Sequence, residues 1–197
     1  TKDSAYDVCA FAVSKKLKKS ESLRGLPIVE IEEVDRTYPP DQFSAFVAVS
    51  STRLNRDRAA LFLDMKSKGY TFASYISSWA FVWDNVEIGE NCFILENNVL
   101  QPFSVIGDNV TLWSGNHIGH RTAVGNHVFI SSHCVISGFC EIGEFSFLGV
   151  NCTFADKVKV ASDNFISMGA VVSKSTQANG LYKGNPAEKH KVGAKRL

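Results

Sequence analysis

The sequence predicts two parts: a small α/β region in residues 1–77, then a parallel β-helix in residues 78–178 with a C-terminal tail in residues 179–197. Two observations predict the β-helix. Every sixth residue from Val82 to Val172 is bulky and apolar, and the residue four positions after each of them is small or medium-sized and uncharged. The α/β region is predicted by strand-like apolar segments that alternate with a helical pattern upstream of the repeat.

The six-residue repeat fits neither an amphipathic helix, with a period of about 3.6, nor a half-buried strand, with a period of about 2. Short strands joined by tight turns do fit it, and three units make one triangular coil of 18 residues. The sixteen units therefore predict about five coils, roughly 25 Å long at a strand spacing of ~4.8 Å. We expect the large residues to stack inside the prism, and glycines directly after them, such as Gly119, to use positive φ in the turns.

Composition narrows the class of protein. A formal net charge of +1 provides no electrostatic basis for binding nucleic acid or an anionic membrane surface. The sequence contains no apolar run long enough to cross a bilayer, and no secretory signal peptide is recognisable. Four of the five cysteines occupy the small position of the repeat, which predicts buried free thiols and a cytoplasmic protein.

The upstream region is predicted to form a small parallel sheet. Between its last two strands, Ser51 or Thr52 can cap a helix over residues 53–68, and Gly69 can end it. The four strand-like segments are residues 6–13, 26–31, 43–50 and 70–76.

One exterior column of the predicted prism is largely aromatic, because residues 18 positions apart stack on one another. Exposed apolar patches usually mark contacts, so the column predicts a subunit interface, with simple stacking of rings within one chain as the alternative. Its members are Phe93, Thr111, Phe129, Phe147 and Phe165.

The hexapeptide pattern resembles that of the left-handed β-helix acyltransferases along its whole length. Residues 112–121, Leu-Trp-Ser-Gly-Asn-His-Ile-Gly-His-Arg, are similar to the catalytic segment of bacterial N-acetyltransferases that act on nucleotide-linked amino sugars, and residues 182–187 also match. The resemblance implies a homotrimer with active sites between neighbouring prisms. It also implies acetyl-CoA as co-substrate and the amino group of a nucleotide-linked sugar, a 4-amino-dideoxy sugar, as acceptor.

By resemblance, His120 is the general base and the backbone N–H of Gly138 stabilises the oxyanion. An amine that attacks a thioester must lose a proton, and imidazole accepts protons near neutral pH. Gly138 follows His120 by 18 positions, hence one coil along on the same corner. The family often has a histidine or an acid directly after the base, whereas this chain has Arg121. A substrate-binding or structural role for His120 is the alternative.

The resemblance further implies a coenzyme A site in the groove between two prisms. Phe129 stands where the family has a second histidine, one thought to meet the acyl carrier. The coenzyme A contacts implied are Phe129, Gly138, Val150, Met168, Lys183 and Pro186.

The nucleotide-sugar site is expected in the α/β region. The family opens this domain with a strand, a glycine-rich turn and a helix that approach the phosphates. That opening is not found in residues 1–197, and either residues before Thr1 supply it or the protein departs from the family here. Residues 46–56 resemble the strand, small-residue turn and basic helix start that follow it, although plain helix capping is the alternative. The candidate substrate-binding residues are Ser50, Ser51, Arg56, Asn116 and His117, with a hydrogen-bonded ladder between Asn98 and Asn116 favoured over a ligand role.

Three other functions remain open at the level of sequence. The same fold can acetylate a sugar hydroxyl, and a trimer without catalysis can serve as a binding scaffold. The related γ-class carbonic anhydrases bind zinc through histidines with a different spacing. Here His117 and His120 are three positions apart with no histidine before them, so we expect no metal.

Overall fold

The computed structural model describes residues 3–196, so Thr1 and Lys2 of the predicted α/β region and Leu197 of the predicted tail lie outside the described residues. Residues from Tyr75 onward form a triangular stack of short strands. We name its three sheets face 1, face 2 and face 3, and the turns between them corner 1–2, corner 2–3 and corner 3–1.

The strands of each face are parallel, except for the last strand of face 1. Face 1 contains Tyr75–Ile76, Phe93–Ile94, Thr111–Leu112, Phe129–Ile130, Phe147–Leu148, Phe165–Ile166, Leu181–Lys183 and Glu188–Lys189. Face 2 contains Phe81–Val82, Val99–Leu100, His117–Ile118, Val135–Ile136, Thr153–Phe154 and Val171–Val172. Face 3 contains Glu87–Ile88, Val105–Ile106, Ala123–Val124, Glu141–Ile142 and Lys159–Val160.

The predicted repeat is confirmed in its register and in its core. Neighbouring strands pair residues 18 positions apart, as Thr111 does with Phe129. All sixteen predicted units form strands, and from Ile94 to Val172 each inward residue is at most 2% exposed. The four cysteines of the repeat are buried free thiols.

The corners turn differently from the prediction. The residue with left-handed backbone lies three positions after the inward residue and is mostly not glycine, as in Phe103 with φ 62° and Arg121 with φ 55°. The prediction of positive φ for glycines directly after the inward residue is therefore wrong. These glycines are needed because consecutive coils approach closely: a Cβ added at Gly119 would lie 2.5 Å from the carbonyl carbon of Ser137.

We expect Gly143→Ala to lower the free energy of unfolding by about 2 kcal/mol, because overpacking against rigid backbone costs roughly 1–3 kcal/mol. The added Cβ would lie 2.5 Å from the Ser162 nitrogen. Urea unfolding measures the loss. Ala161→Ser is the matched control, since Ala161 occupies the same position one coil later and already carries a Cβ; an equal loss in both variants would contradict the explanation.

The α/β region contains strands β1 (Phe11–Val13), β2 (Ser22–Leu23) and β3 (Leu26–Glu30), and helices α1 (Val34–Thr37) and α2 (Arg56–Ser67). Single 3-10 turns lie at Lys15–Leu17 and Ala194–Arg196. In the sheet, β3 pairs with β1 in parallel and with β2 in antiparallel orientation, so the sheet is mixed rather than parallel.

The predicted strands at residues 43–50 and 70–76 are largely absent as sheet strands of this region. One bridge joins Ala45 to Phe72, and Tyr75–Ile76 belongs to face 1. The physical reason is that the first segment bonds to the β-helix instead: the Val47 N–H donates to Asn91 Oδ1 at a corner, 2.7 Å away.

Helix α2 begins three residues later than predicted. Arg53, Leu54 and Asn55 have φ of 51°, 50° and 64°, a left-handed turn that no helix can include. Asn55 is therefore the N-cap, without a side-chain capping hydrogen bond, and the predicted cap at Ser51 or Thr52 is wrong. Gly69, with φ 91°, follows the helix end as predicted.

The exterior column of face 1 is partly covered by the same chain. Phe129, Phe147 and Phe165 stack with centroid separations of 5.2 and 4.7 Å. Lower in the column, Phe46 packs on Phe93 with centroids 5.8 Å apart, and α2 covers Thr111. Residues 46–58 therefore cover this lower part, where Thr111 is buried and Phe93 half-buried, and the subunit interface stays a prediction for the upper part.

Candidate active site

His120 and Gly138 lie next to each other on corner 2–3, one coil apart. A Cβ added at Gly138 would lie 2.5 Å from His120 Cε1 and 2.8 Å from Nε2, so the ring occupies the space that any side chain at 138 would fill. The Phe139 ring meets His120 edge-on with centroids 5.0 Å apart. The structure thus brings the predicted pair together at an exposed corner and orients the imidazole by packing.

The group that orients His120 is not the residue after it. The Arg121 guanidinium lies 4.8 Å above the Phe103 ring, one coil toward the N-terminus. Within residues 3–196 no side chain hydrogen-bonds to the His120 ring. Gly138 and Phe139 therefore hold the ring where the family commonly uses a polar neighbour.

The backbone N–H of Gly138 is not free. It donates to Asp156 Oδ1 over 2.9 Å. The same arrangement recurs on corner 3–1, where the Glu90 N–H donates to Asp108 Oδ1 and the Asp108 N–H to Asn126 Oδ1. A carboxylate one coil further along therefore already accepts this N–H, and the role of Gly138 as the oxyanion donor stays a prediction.

The residues predicted to bind coenzyme A are divided between two corners. Val150 and Met168 are exposed on corner 1–2 and, together with Phe147 and Phe165, line a depression of about 300 Å³ on face 1. Gly138 lies on corner 2–3, on the far side of face 2. Phe129 continues the stacked rings below the depression, and Lys183 and Pro186 are exposed near the C-terminal end of the stack.

A second depression of about 280 Å³ shares Phe147 and Phe165 with the first. Its other wall is the segment from Ser50 to Leu54, so Ser50 and Ser51 of the predicted substrate site line it. Sequence patterns did not indicate the left-handed turn at Arg53 that shapes this wall. The two depressions flank one pair of stacked rings.

Two predicted substrate-binding residues are occupied elsewhere. Arg56 forms an ion pair with Asp163, and its guanidinium lies 4.5 Å from the centre of the Phe145 ring on corner 3–1. Burial raises the pKa of Asp163, but hydrogen bonds from Arg56 and Lys195 outweigh it and leave that pKa below its ordinary value. Arg56 thus docks α2, and its binding of substrate stays a prediction.

The prediction that Asn116 binds substrate is corrected, because this side chain is buried. It is 1% exposed inside the prism, where its amide donates to Asn98 Oδ1 over 3.0 Å and accepts from the Cys134 N–H over 2.8 Å. The predicted asparagine ladder is confirmed, and it leaves no polar atom of Asn116 at the surface. His117 lies half-buried on face 2 directly before the His120 corner, and its contact with substrate stays a prediction.

Arg58 holds α2, and so the wall of the second depression, against the β-helix. It is 3% exposed and donates to Thr111 Oγ1 over 2.7 Å and to the Asn109 carbonyl oxygen over 2.9 Å. Burial lowers the pKa of Arg58 to about 10. An arginine on a helix gives no sign in the sequence that it is buried, so this residue was missed.

We expect Arg58→Ala to lower the free energy of unfolding by about 3 kcal/mol, since truncating a buried, hydrogen-bonded side chain leaves a cavity and unpaired carbonyl groups. Urea unfolding measures the loss, and amide exchange of α2 shows whether the helix detaches. Arg36→Ala is the control, because Arg36 forms only an exposed ion pair with Glu33. Equal losses in the two variants would refute the anchoring role.

Residues 103–138 match the bacterial transferase hexapeptide (six repeats) family, a stretch that includes His120 and Gly138. The match covers less than half of the chain and shows the hexapeptide pattern of that family in this stretch. A search of curated protein sequences finds no match.

Solved structures of acetyltransferases are similar over most of the chain. The acetyltransferase domain of PglB from Neisseria gonorrhoeae FA1090 is 25% identical with a TM-score of 0.80, covering 88% of this chain and 84% of that one, and it has also been solved in complex with acetyl coenzyme A. A variant of perosamine N-acetyltransferase from Caulobacter crescentus, in complex with CoA and GDP-perosamine, is 22% identical with a TM-score of 0.80, covering 87% and 80%. WeeI from Acinetobacter baumannii AYE is 22% identical with a TM-score of 0.80, covering 92% and 85%.

These comparisons confirm the predicted fold, a small α/β part followed by a left-handed parallel β-helix, and the predicted enzyme class, an acyltransferase. The predicted use of acetyl-CoA agrees with these neighbours, which include structures in complex with acetyl coenzyme A and with CoA. Within residues 3–196 no three potential metal ligands cluster, and no helix there is long and apolar enough to cross a membrane.

Proposed function

We propose that the protein transfers the acetyl group of acetyl-CoA to the amino group of a nucleotide-linked sugar, with a 4-amino-dideoxy sugar as the acceptor. The observation that carries the proposal is the His120 ring, exposed at a corner and packed on Gly138, in a fold similar to that of sugar N-acetyltransferases. The reduced state of all five cysteines agrees with a cytoplasmic enzyme.

The reaction follows from what each group can do. The acceptor nitrogen attacks the thioester carbonyl carbon and forms the C–N bond while His120 takes the proton that the nitrogen loses. The tetrahedral intermediate then collapses, the C–S bond breaks, and the coenzyme A sulfur leaves with the proton returned by His120. Packing by Gly138 and Phe139 keeps the imidazole in one orientation for both proton transfers.

We propose that the complete site forms between two copies of the chain in a homotrimer. In one chain, face 2 separates the His120 corner from the corner that carries Val150 and Met168. A neighbouring prism placed against face 2 would bring its Val150 corner to the His120 corner of the first. Face 2 exposes apolar side chains for such a contact, with Phe81 56% and Val135 43% exposed.

The depression between Ser50 and the rings of Phe147 and Phe165 supports a place for the nucleotide. Small polar side chains and free backbone groups suit the polar edge of a base or a phosphate, and aromatic rings suit the face of a base. We propose that Ser50 and Ser51 bind this end of the acceptor. Plain support of the turn before α2 is the competing explanation.

The trimer is tested by Val135→Arg, a charge in the middle of face 2. We expect light scattering to show single chains and thiol release to be lost together, because a charge cannot be buried in an apolar interface without a partner. Ala123→Arg is the control at the same outward position on face 3. Persistence of the trimer in Val135→Arg, or its loss in both variants, would contradict the proposed interface.

The activity is tested by coenzyme A thiol release with a panel of UDP-, dTDP- and GDP-linked amino sugars. Release with at least one member, and a product heavier by one acetyl group on nitrogen, is the expected result. Absence of release with every member would overturn the proposal. Failure to bind coenzyme A in calorimetry would in addition favour a non-catalytic scaffold.

We expect His120→Ala to reduce kcat about a hundredfold, within the range of roughly 10²–10⁴ for loss of a general base, with coenzyme A affinity unchanged. Partial loss favours transfer to nitrogen, since an amine is more nucleophilic than a hydroxyl. Near-total loss, with product acetylated on oxygen, would favour sugar O-acetylation instead. Unchanged kcat would remove His120 from the mechanism.

A further inference from the structure

We infer that Asp156 binds the protonated amine of the acceptor beside His120, an inference that rests on the proposed N-acetyltransferase function. Asp156, Gly138 and His120 lie in one column of corner 2–3, each 18 positions from the next. The His120 ring fills the space that a Cβ at Gly138 would occupy, and Asp156 Oδ1 accepts the Gly138 N–H over 2.9 Å. An imidazole and a carboxylate therefore bracket one residue that has no side chain to separate them.

The chemistry of the acceptor requires an acid at this place. A primary amine is largely protonated at neutral pH, so it arrives as a cation without a free lone pair. The cation must first lose one proton to solvent, and His120 then takes the second proton as the C–N bond forms. His120 cannot attract the cation. The residue beside it, Arg121, is itself cationic and therefore repels an ammonium group.

Asp156 is the carboxylate of the column that only a glycine, Gly138, separates from His120. It is exposed and forms no ion pair with another residue of the described range 3–196. The other acid of the column is Asp84, two coils below His120, and Pro102 stands between them. Two lysines of this corner are neighbours of Asp156. Lys157 follows it in the sequence and Lys174 lies one coil further along, so the surroundings of Asp156 also carry positive charge.

Binding of the amine by Asp156 would also free the N–H of Gly138, which donates to Asp156 in this structure. A carboxylate can accept hydrogen bonds from an ammonium group more strongly than from a neutral amide. When the acceptor amine binds, we expect Asp156 to turn toward it and to release the Gly138 N–H. That N–H then points at the corner where the thioester oxygen develops negative charge.

Corner 3–1 shows what a purely structural acid in this position does. There Asp108 Oδ1 accepts the Glu90 N–H over 2.9 Å, and Asn126 Oδ1 accepts the Asp108 N–H over 2.8 Å. An asparagine thus supports the corner as well as an aspartate does. Asp156→Asn is therefore expected to keep the fold and the hydrogen bond while it removes the negative charge.

The experiment compares Asp156→Asn with Asp108→Asn as the matched control. It measures KM for the acceptor, KM for acetyl-CoA, and the inhibition constant of an analogue that carries a hydroxyl in place of the amine. For Asp156→Asn we expect acceptor KM to rise about fivefold, the upper end of the effect of losing one exposed ion pair, with the other two constants unchanged. Asp108→Asn is expected to leave all three constants at the wild-type values.

Two results would overturn the inference. One is a wild-type acceptor KM in Asp156→Asn, and the other is an equal weakening of amine and hydroxyl analogue, which would indicate a structural role. If the wild-type protein releases no thiol with any acceptor, the proposed function fails. Calorimetric binding of the amine and hydroxyl compounds to both variants then still shows whether Asp156 distinguishes them.

Discussion

Parallel stacking at intervals of 18 residues is the constraint on which the rest of this structure depends. Each strand pairs with the strands one coil away, and each inward side chain packs on those above and below it. Side chains at the corners obey the same interval, so the residues that bond to one another there are neighbours in the stack and distant in sequence. A coil cannot shift by one residue without turning its apolar residues outward.

The columns created by this interval contain both structural residues and residues of the proposed active site. Asn98 and Asn116 form a buried ladder, whereas in a column with the same spacing the exposed His120 and Asp156 lie on either side of the buried Gly138. The geometry of a column cannot by itself assign a role to its members. Exposure and the charge that the proposed reaction requires are what separate the second column from the first.

The contact between the α/β region and the β-helix makes the three sides of the prism unequal. Residues 46–58 and helix α2 lie over face 1 and corner 3–1, anchored by Arg58 inside and by the Arg56–Asp163 ion pair at the edge. This covering leaves face 2 exposed between the His120 corner and the Val150 corner. The proposed site between two copies follows from that arrangement, because the covered side of the prism is not available to a neighbour.

The sequence alone determined the period of six, the inward residues, the aromatic column and the position of Gly138 one coil from His120. These follow from counting, because the interval of 18 is uniform; one more step would have reached Asp156. Only the tertiary structure decided that Asn55 ends a left-handed turn, that Arg58 is buried, and that the Gly138 N–H has a partner. The reason is physical: the burial of Arg58 and the left-handed turn before α2 depend on contacts between segments that share no sequence period. For Gly138 the interval of 18 identifies Asp156 as the neighbour, but only the structure shows that its carboxylate accepts the N–H.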